Sequence, residues 1–565
     1  TQMQREMKIS IRLYTALILL FLFQAGYPQS KLWLVDPLEP IYPDTNTFQN
    51  YGDKYTAAFP LGTEAEVNVM VALPVGTTVS LSARLDGKEL PPDSWAVLLD
   101  VPVEQNTGLD SRTEQYINKI NPYVIRRAPF RVYEAIEPLE GAEFQTQHPY
   151  QAFRLQVPAE RFPAAGKHRI EISVHSEAGQ QEGAFTAQYF DCQLPELAES
   201  HFFYTNWFNL KVMEVQHQVE RWSPAWFDVL DQYARLMAHG RQNSITIPGE
   251  LLKWDGKQFS LEEEKMLQFI NVFRKYGFRY FESPHLLYRG DGDDWSSPEL
   301  VVYLTKNGYF SEEGKKDIAE IIQLIKDFTE KNGLTDNWLQ HIADEPTANN
   351  AECYKAVVQQ VKSIYPEITI MEATNDRDGL AGAIDLWCPL INDFQENEAF
   401  FRGRETQGEK VLVYTCLIPG GPWLNRTLDM EHLRQVYFGW GAARYHTSGY
   451  LHWGLNQYHA DPFEQSVVHH PSPVATPNNF LPAGDTHIVY PGKNGPLSSL
   501  RFEAHRIGIE DYEILRRLKE EKPKVQSRLV KKLFRSYTDY ELSVKKYRRI
   551  RKKVMRKVES LFKFR

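Results

Sequence analysis

The sequence predicts an α/β protein: a (β/α)8 barrel, or TIM barrel, preceded by an N-terminal β-sandwich domain. Short strand-like runs separated by Gly, Pro and Asp fill residues 31–199, and apolar runs then alternate with amphipathic helical segments from 200 to 518. One of the apolar runs, over 338–345, ends in the adjacent acids Asp344 and Glu345 just before Pro346. Strands alternating with helices favour a parallel sheet, and eight such units predict its closure.

Residues 1–30 are typical of an export signal with an upstream extension. Lys8 and Arg12 precede an uncharged apolar run over 13–26, which is short for a membrane span. We therefore expect cleavage between residues 25 and 30, a secreted or periplasmic protein, and no stable membrane span. The four cysteines have no metal-site spacing, so we expect buried free thiols.

The composition limits the classes of partner. The 565 residues are 42% hydrophobic and carry a net charge of -9, which argues against nucleic acid as the main partner. The aromatic content of 13% suits stacking against sugars, although a large β-rich core accounts for it equally well.

The β-sandwich is predicted over 31–199 because short, often alternating runs occur there without long helices. A supporting role for this domain is favoured over glycan binding, because no recognisable site lies in it. The expected strands are 67–73, 78–85, 96–101, 131–135, 152–157, 168–175 and 185–190.

The barrel is predicted over 200–518, with a sixth unit that lacks a convincing helix. The expected strands are 202–208, 244–247, 278–282, 338–345, 368–373, 384–389, 411–416 and 449–453, and the expected helices are 226–238, 261–276, 311–331, 351–365 and 429–445. The remaining segment, 519–565, predicts a basic helical tail. A solvated helical face is favoured for it over binding to anionic lipid or acidic glycan.

Asp344 and Glu345 are the candidate catalytic residues. Groups at the carboxyl ends of barrel strands line the active-site mouth, and two acids in different environments can hold different pKa values. Considered alone, the pair is also typical of a helix N-terminus. Other strand ends are rich in aromatic, amide and acidic side chains, which suit a carbohydrate. The candidate substrate-binding residues are Asn206, Trp207, Glu282, His341, Asn375, Tyr414, Trp423, Trp453 and Asn456.

The end of predicted strand seven narrows the mechanism. Retaining glycosidases with a protein nucleophile need a second carboxylate, often at this position, but 414–419 contains no acid. Substrate-assisted hydrolysis needs none. The 2-acetamido oxygen attacks the anomeric carbon, one acid protonates the leaving oxygen, and a neighbouring carboxylate orients the acetamido group. Adjacent Asp344 and Glu345 fit these two roles.

Three motifs, 341–346, Gly484 with Asp485 and 490–492, and 499–512, resemble the catalytic domain of glycoside hydrolase family 123. The resemblance implies a (β/α)8 barrel behind a β-sandwich and β-N-acetylgalactosaminidase activity through an oxazoline intermediate. It further implies that Glu345 is the general acid/base and Asp344 the acetamido-orienting carboxylate. Independently of it, residues 501–511 have helical spacings that predict ion pairs locking the last helix to the barrel.

The sequence therefore predicts a hexosaminidase acting on a glycan with a terminal β-linked N-acetylhexosamine. No metal-ligand cluster or phosphate loop occurs, so no cofactor or metal is expected. One alternative is a glycosidase for sugars without an acetamido group, which would pair Glu345 with Glu282 or Asp393. Another is a non-catalytic glycan-binding surface protein.

Overall fold

The computed structural model describes residues 31–110 and 112–562, and the predicted export segment 1–30 lies outside the described residues. The predicted α/β class is confirmed. No helix in the described part of the chain is long and apolar enough to cross a membrane. All four cysteines are free thiols, and three of them, Cys192, Cys353 and Cys388, are buried.

The N-terminal region consists of strands with one short helix, and all seven predicted strand runs fall within observed strands. Four strands were missed: Lys31–Val35, which directly follows the predicted signal, Lys54–Pro60, which contains two alanines and ends at a proline, and the short strands Lys88–Glu89 and Glu143–Gln145. The elements are β1 (Lys31–Val35), β2 (Lys54–Pro60), β3 (Ala65–Ala72), β4 (Thr78–Leu85), β5 (Lys88–Glu89), β6 (Trp95–Val103), α1 (Glu114–Ile117), β7 (Phe130–Pro138), β8 (Glu143–Gln145), β9 (Tyr150–Val157), β10 (Gly166–Ser176) and β11 (Gly179–Phe190).

These strands form two sheets that share one apolar core. The first contains β1-β3-β9-β6-β7 in that order, and the second contains β2-β11-β10-β4-β5. The strand pairs are antiparallel except for the parallel pair of β2 with β11. Alternate side chains of both sheets meet in the core, such as Val67 and Val69 from β3 with Ile170 and Ile172 from β10.

The second region alternates strands and helices as predicted. The strands are β12 (Phe203–Asn206), β13 (Ser244–Thr246), β14 (Leu252–Trp254), β15 (Phe259–Leu261), β16 (Tyr280–Glu282), β17 (Leu287–Tyr288), β18 (Val301–Val302), β19 (Trp338–Gln340), β20 (Thr369–Thr374), β21 (Leu386–Pro389), β22 (Lys410–Val411), β23 (Val413–Thr415), β24 (Gly449–His452), β25 (Val468–His469), β26 (Phe480–Leu481), β27 (Tyr490–Gly492) and β28 (Gly495–Ser499). The helices are α2 (Leu210–His217), α3 (Pro224–His239), α4 (Glu263–Arg274), α5 (Glu312–Lys331), α6 (Ala351–Ile364), α7 (Ile391–Glu396), α8 (Glu398–Glu405) and α9 (His432–Tyr445).

The sixth unit differs from the expectation, because two short helices, α7 and α8, follow β21. Neither is longer than eight residues, so their apolar periodicity is too short to stand out in the sequence.

Two sheets of this region consist of parallel strands, whereas the short pairs β14-β15, β17-β18, β25-β26 and β27-β28 are antiparallel. One sheet has the order β13-β16-β19-β20-β21-β22 and the other the order β12-β24-β23. Backbone hydrogen bonds link the two: the Asn243 N–H lies 3.2 Å from the Tyr204 oxygen, and the Leu412 N–H lies 2.8 Å from the Trp387 oxygen. Inward-facing side chains from both sheets form a common cluster, with Phe203, Leu339, Met371, Leu412 and Leu451 among its members.

The long helix α10 (Leu500–Glu521) carries the predicted ion pairs, and they reach further than expected. Arg506 pairs within the helix with Glu503 at 2.6 Å and Glu510 at 2.7 Å. It also pairs with Glu66 of β3 at 2.8 Å, and Arg501 pairs with Glu134 of β7 at 2.6 Å. The helix is therefore fixed to the N-terminal sheet.

The C-terminal segment contains α11 (Pro523–Lys531), a hairpin of β29 (Phe534–Ser536) and β30 (Asp539–Tyr540), and α12 (Val544–Phe562). One face of α12 is part of the apolar core, and Arg551 in this helix pairs with Asp511 at 2.6 Å. Arg548 pairs with Asp36 at 2.7 Å. The basic residues of this helix are thus solvated only in part, because two of the arginines have partners in the body of the protein.

Candidate active site

The candidate catalytic acids lie on the loop that follows β19. This strand ends at Gln340, and Glu345 adopts a left-handed backbone conformation with φ of 46°. Such a conformation is unusual for a residue other than glycine and costs about 1–3 kcal/mol. Neighbouring side chains on an extended strand point to opposite faces. The turn at Glu345 brings both carboxyl groups to the same end of the sheet.

The Glu345 carboxyl group is largely enclosed and has few hydrogen-bond donors. Tyr414, at the end of β23, donates its phenolic hydrogen to Glu345 Oε1 at 2.6 Å, and the side chain of Asn375 adds a second hydrogen bond. Burial and the nearby Asp344 charge raise the pKa of Glu345 to about 7, against the opposing effect of these donors. Glu345 can therefore hold a proton near neutral pH.

Asp344 has one enclosed and one accessible side. Its Oδ1 is buried and has no hydrogen-bond partner among the described residues, although 44% of the side chain is exposed. Burial raises the pKa of Asp344, and the His285 imidazole, whose Nε2 lies 3.8 Å from Oδ1, opposes that rise. Because Oδ1 is buried, a ligand can reach Asp344 only through the exposed part of its side chain.

Arg289 fixes the backbone of the loop that carries Asp344 and Glu345. Its Nη1 donates to the backbone oxygens of Asp344 at 3.0 Å and Glu345 at 3.4 Å. Asp293 accepts from the same guanidinium group at 2.9 Å, and the Trp295 ring lies 3.9 Å from it. The backbone of the loop is thereby fixed without using either carboxyl group.

A buried polar layer, formed by Glu282, His341 and Glu372, lies beneath the acids. Glu282 Oε1 accepts from Thr205 at 2.5 Å and Ser244 at 2.7 Å, while Oε2 accepts from the Trp207 indole at 3.0 Å. His341 Nε2 lies 3.0 Å from the same Oε2. These contacts lower the pKa of Glu282 despite its complete burial, which alone would raise it.

Glu372 on β20 faces His341 from the other side. Its Oε1 lies 3.0 Å from His341 Nδ1 and 3.1 Å from His285 Nε2. Its Oε2 accepts from the Ile342 N–H at 2.8 Å and the Tyr354 hydroxyl at 3.0 Å, and the Ala343 N–H adds a further donor. Hydrogen bonds from the histidines overcome the effect of burial and lower the pKa of Glu372 to about 2.

His341 is the positive centre of this layer. A carboxylate faces each of its ring nitrogens, and these two hydrogen bonds overcome burial to raise its pKa to about 10. His285, His341 and Glu372 also lie close enough together to hold a metal ion. Their mutual hydrogen bonds account for the arrangement, because a doubly protonated His341 has no lone pair for a metal.

The remaining predicted site residues fall into two groups. Trp207, Glu282, His341, Asn375 and Tyr414 lie in the layer or contact an acid. The others are held by the protein itself: Asn206 bonds to Gln242 and Arg426, Asn456 bonds to the backbone of Asn209, Trp423 packs on the core, and the Trp453 indole donates to Asp485 at 3.2 Å.

Glu372, His285 and Arg289 are absent from the predicted substrate-binding and catalytic set. Glu372 had a signal that was not used: it is a charged residue within the strand run Thr369–Thr374, where burial of the charge requires partners. His285 and Arg289 lie in a loop without periodicity, and only the fold brings them to the acids.

A cleft of about 520 Å³ opens beside Asp344. Trp207, His285 and His341 form its polar end. Its walls are otherwise mostly apolar and come from Ile247, Leu252, Pro284, Leu286, Val302, Tyr303, Leu304 and Ile321.

A larger cleft has a volume of about 1250 Å³ and is lined mainly by residues 36–56 and by α12. These residues are distant in sequence from Asp344 and Glu345. Several of its polar groups are paired with one another, including Arg548 with Asp36 and Tyr51 with Glu39. The cleft beside Asp344 is therefore the better candidate for substrate.

Two adjacent acids on the loop after one strand of a parallel sheet, one of them with a pKa raised to about 7, are suited to glycoside hydrolysis. Residues 294–518 match the family model described as glycoside hydrolase 123, catalytic domain, and this match supports an enzyme that hydrolyses glycosides. The resemblance found in the sequence is confirmed.

Solved structures agree with this fold. A family 123 glycoside hydrolase from Clostridium perfringens, whose structure was analysed for glycolipid glycan hydrolysis, superposes with a TM-score of 0.68 and 12% identity, covering 94% of this chain and 97% of that one. At this identity the likeness shows the fold alone. Comparison with curated protein sequences gave no match.

Two further structures are less similar. A β-glucuronidase from Parabacteroides merdae has a TM-score of 0.32 and 7% identity, covering 86% of this chain and 52% of that one. An endo-β-1,4-mannanase from Thermotoga petrophila has a TM-score of 0.34 and 11% identity, covering 56% and 78%. Neither is close enough to bear on this chain.

Proposed function

We propose that this glycoside hydrolase is a retaining β-N-acetylgalactosaminidase that releases terminal β-linked N-acetylhexosamine through an oxazoline intermediate. The observation that carries the proposal is the division between the two acids. The pKa of Glu345 is raised to about 7, whereas the partly exposed Asp344 side chain lines the cleft. Substrate-assisted hydrolysis needs one group of each kind.

In the first step, the carbonyl oxygen of the 2-acetamido group attacks the anomeric carbon, and a C–O bond forms there. The bond to the leaving oxygen breaks, and that oxygen takes the proton of Glu345. Asp344 accepts a hydrogen bond from the acetamido N–H and stabilises the positive charge that spreads over the five-membered ring. In the second step, a water molecule gives a proton to Glu345, and the oxygen of that water bonds to the anomeric carbon. The bond from this carbon to the oxazoline oxygen breaks, and the product retains the anomeric configuration of the substrate.

The other residues of the site have supporting roles in this proposal. Tyr414 and Asn375 stabilise the Glu345 carboxylate that forms when the proton leaves. The Trp207 indole N–H is bound to Glu282, so its ring offers a fixed apolar surface to the sugar.

The contacts of Glu282 and Asp393 weigh against the sequence alternative that uses either as a nucleophile. Both oxygens of Glu282 are occupied by donors, and the residue is fully buried. Asp393 pairs with Arg377 and accepts from the Asn397 side chain at 2.9 Å. A nucleophile needs a free oxygen directed at the anomeric carbon.

We further infer that the parallel strands of residues 200–518 form a closed (β/α)8 barrel and that the two sheets of residues 31–199 form a β-sandwich. The hydrogen bonds from β12 to the segment before β13, and from β21 to the residue between β22 and β23, support closure. The core shared by the two sheets supports the sandwich. Secretion or periplasmic localisation remains our proposal from the sequence.

The test is hydrolysis of 4-nitrophenyl β-N-acetylgalactosaminide, of its N-acetylglucosaminide epimer and of the plain β-galactoside, with and without a thiazoline that mimics the oxazoline. We expect turnover of the galacto N-acetyl substrate, inhibition by the thiazoline, and no turnover of the plain galactoside. Asp344→Asn should abolish most of the activity, because the acetamido group then lacks its acceptor.

Asp393→Asn is the matched control, since it removes one carboxylate charge from the same region. Under the proposal this variant retains activity. Loss of activity in Asp393→Asn, together with turnover that ignores the thiazoline, would establish the alternative with a protein nucleophile. Binding of the sugar without any turnover would support the non-catalytic alternative.

A further inference from the structure

The two acids face different sides of the site. Glu345 is directed to the Tyr414 hydroxyl at the end of β23, whereas Asp344 lies nearest His285, which follows β16. In the proposed reaction, which this inference presupposes, Glu345 meets the leaving oxygen and Asp344 meets the acyl N–H. The acyl group of the substrate therefore lies on the side of Asp344.

The cleft of about 520 Å³ is on that same side. Asp344, His285 and Trp207 line it, and Glu345 and Tyr414, both within the described residues, are outside its lining. Beyond the polar end, the walls are apolar, with Ile247 and Val302 buried and Leu304 at the exposed rim. An acyl chain entering beside Asp344 would meet these apolar walls.

The size of the cleft exceeds the needs of an acetyl group. A methyl group is similar in size to a water molecule, which occupies roughly 30 Å³. Small-molecule sites that enclose an entire ligand span about 300–1,000 Å³. The cleft beside Asp344 falls within that range, so with the sugar ring against Trp207 at its polar end it still leaves apolar space beyond the single methyl of an acetyl group.

We infer that this cleft is an N-acyl subsite that admits chains longer than acetyl, so that the substrate class is 2-acylamido-2-deoxy-β-galactosides rather than N-acetyl sugars alone. The chemistry at the anomeric carbon is unchanged, because a longer alkyl chain leaves the attacking carbonyl oxygen in place. Each added methylene that enters the apolar part of the cleft contributes up to about a fourfold gain in kcat/KM.

The test uses a series of 4-nitrophenyl β-galactosaminides carrying N-acetyl, N-propanoyl, N-butanoyl and N-pentanoyl groups. We expect kcat/KM for the N-butanoyl substrate to remain within about tenfold of the N-acetyl value or to exceed it. A loss of a hundredfold or more by N-butanoyl would overturn the inference, because a closed acetyl pocket excludes the added carbons.

Substitutions in the wall of the cleft test whether the acyl chain binds there. Leu304→Trp narrows the rim at a position that is 42% exposed, so the fold tolerates the larger ring, and Val302→Phe fills the deeper wall. Each should lower the ratio of N-butanoyl to N-acetyl kcat/KM by about tenfold or more. Leu542→Trp, at a position 40% exposed and remote from the cleft, is the matched control and should leave the ratio unchanged.

The outcomes separate this inference from the proposed function. N-acetyl turnover that the thiazoline blocks, with N-butanoyl turnover lost, would overturn the subsite and leave the reaction standing. Absence of thiazoline-sensitive N-acetyl turnover would overturn both. An unchanged acyl ratio in Leu304→Trp and Val302→Phe, with both variants folded, would also overturn the subsite.

Discussion

Two neighbouring sets of charges in the active site have opposite electrostatic properties. The buried layer of Glu282, His341 and Glu372 is ionised, with lowered carboxyl pKa values and a His341 pKa of about 10. The acid pair of Asp344 and Glu345, a few residues further along the chain, has raised pKa values. Both sets are enclosed by protein, so burial alone does not decide whether a group keeps its charge.

The number of donors makes the difference. Hydroxyl, indole, imidazole and backbone N–H groups surround the buried carboxylates, whereas Asp344 Oδ1 has no partner among the described residues and Glu345 has mainly the Tyr414 hydroxyl. Desolvation raises a carboxyl pKa, and hydrogen bonds to the charged form lower it. The buried layer is thus rich in hydrogen-bond donors, whereas the two acids that we propose to react have few.

The largest effect should follow from removing the acids that are proposed to react. Glu345→Gln should lower kcat/KM by about 10²- to 10⁴-fold on a disaccharide, whose leaving oxygen needs a proton. The loss should be smaller on a 4-nitrophenyl glycoside, because nitrophenolate leaves readily without one. Asp344→Asn should lower both rates similarly. Equal losses on the two substrates in Glu345→Gln would contradict its role as proton donor.

Breaking the layer should cost stability. His341→Leu leaves Glu282 and Glu372 as buried carboxylates without their shared cation, which should lower the free energy of unfolding by about 3–5 kcal/mol. Urea unfolding followed by circular dichroism measures the change. His505→Leu is the control, because His505 is buried beside the rings of Phe438 and Tyr450 and its substitution should cost less stability. Equal losses would mean that the layer owes its stability to packing rather than charge.

The contribution of the layer should also depend on pH. The folded-state pKa of His341 is raised from 6.5 to about 10, so its stabilisation is complete below pH 6.5 and is lost as the pH rises through 10. For Glu372, lowered from 4.5 to about 2, stabilisation is complete above pH 4.5 and is lost as the pH falls through 2.

Both contributions are therefore complete between pH 4.5 and 6.5. The stability difference between the parent and His341→Gln should be greatest there and shrink above pH 6.5 by at most about 1.4 kcal/mol per pH unit. Unfolding curves from pH 5 to 9 measure it. A difference that is flat over this range would show that the pKa of His341 is the same in the folded and unfolded protein.

The smallest effect concerns the donor to Glu345. Tyr414→Phe removes a hydrogen bond that favours the carboxylate, so the Glu345 pKa should rise and the alkaline limb of kcat/KM should move up by about one pH unit. Residual activity of Asp344→Asn provides the opposite case, because loss of the neighbouring negative charge should move the limb down. Shifts in the same direction would show that another group controls this limb.

The sequence predicted the strands better than the site. Alternating and apolar runs predicted most of the longer strands of the first region and the parallel strands of the second, because burial of one face or both leaves a periodic pattern, whereas short antiparallel pairs such as β14 with β15 left none. The acid pair was found because Asp344 and Glu345 stand together before Pro346. Contacts between distant residues left no such pattern: Glu372 reaches His341 only because β20 pairs beside β19.

Contacts between distant residues also explain why some of the predicted substrate-binding residues are not available to a substrate. Asn206 and Asn456 have the residue type and position expected of sugar ligands, but Arg426 and the Asn209 backbone occupy their polar groups. Whether an amide faces solvent or a neighbouring loop depends on tertiary packing, which residue type does not encode. Asn375, predicted by the same reasoning, does contact Glu345.

The pairing of β28 with β7 joins the last part of the enzyme to a sheet that begins at Lys31. During translation, β7 emerges long before residues 495–499 exist. Its outer edge must therefore remain uncovered while the whole catalytic region is being synthesised, and an open strand edge is a site for wrong pairing. This enzyme can complete its first sheet only after nearly the whole chain has been made.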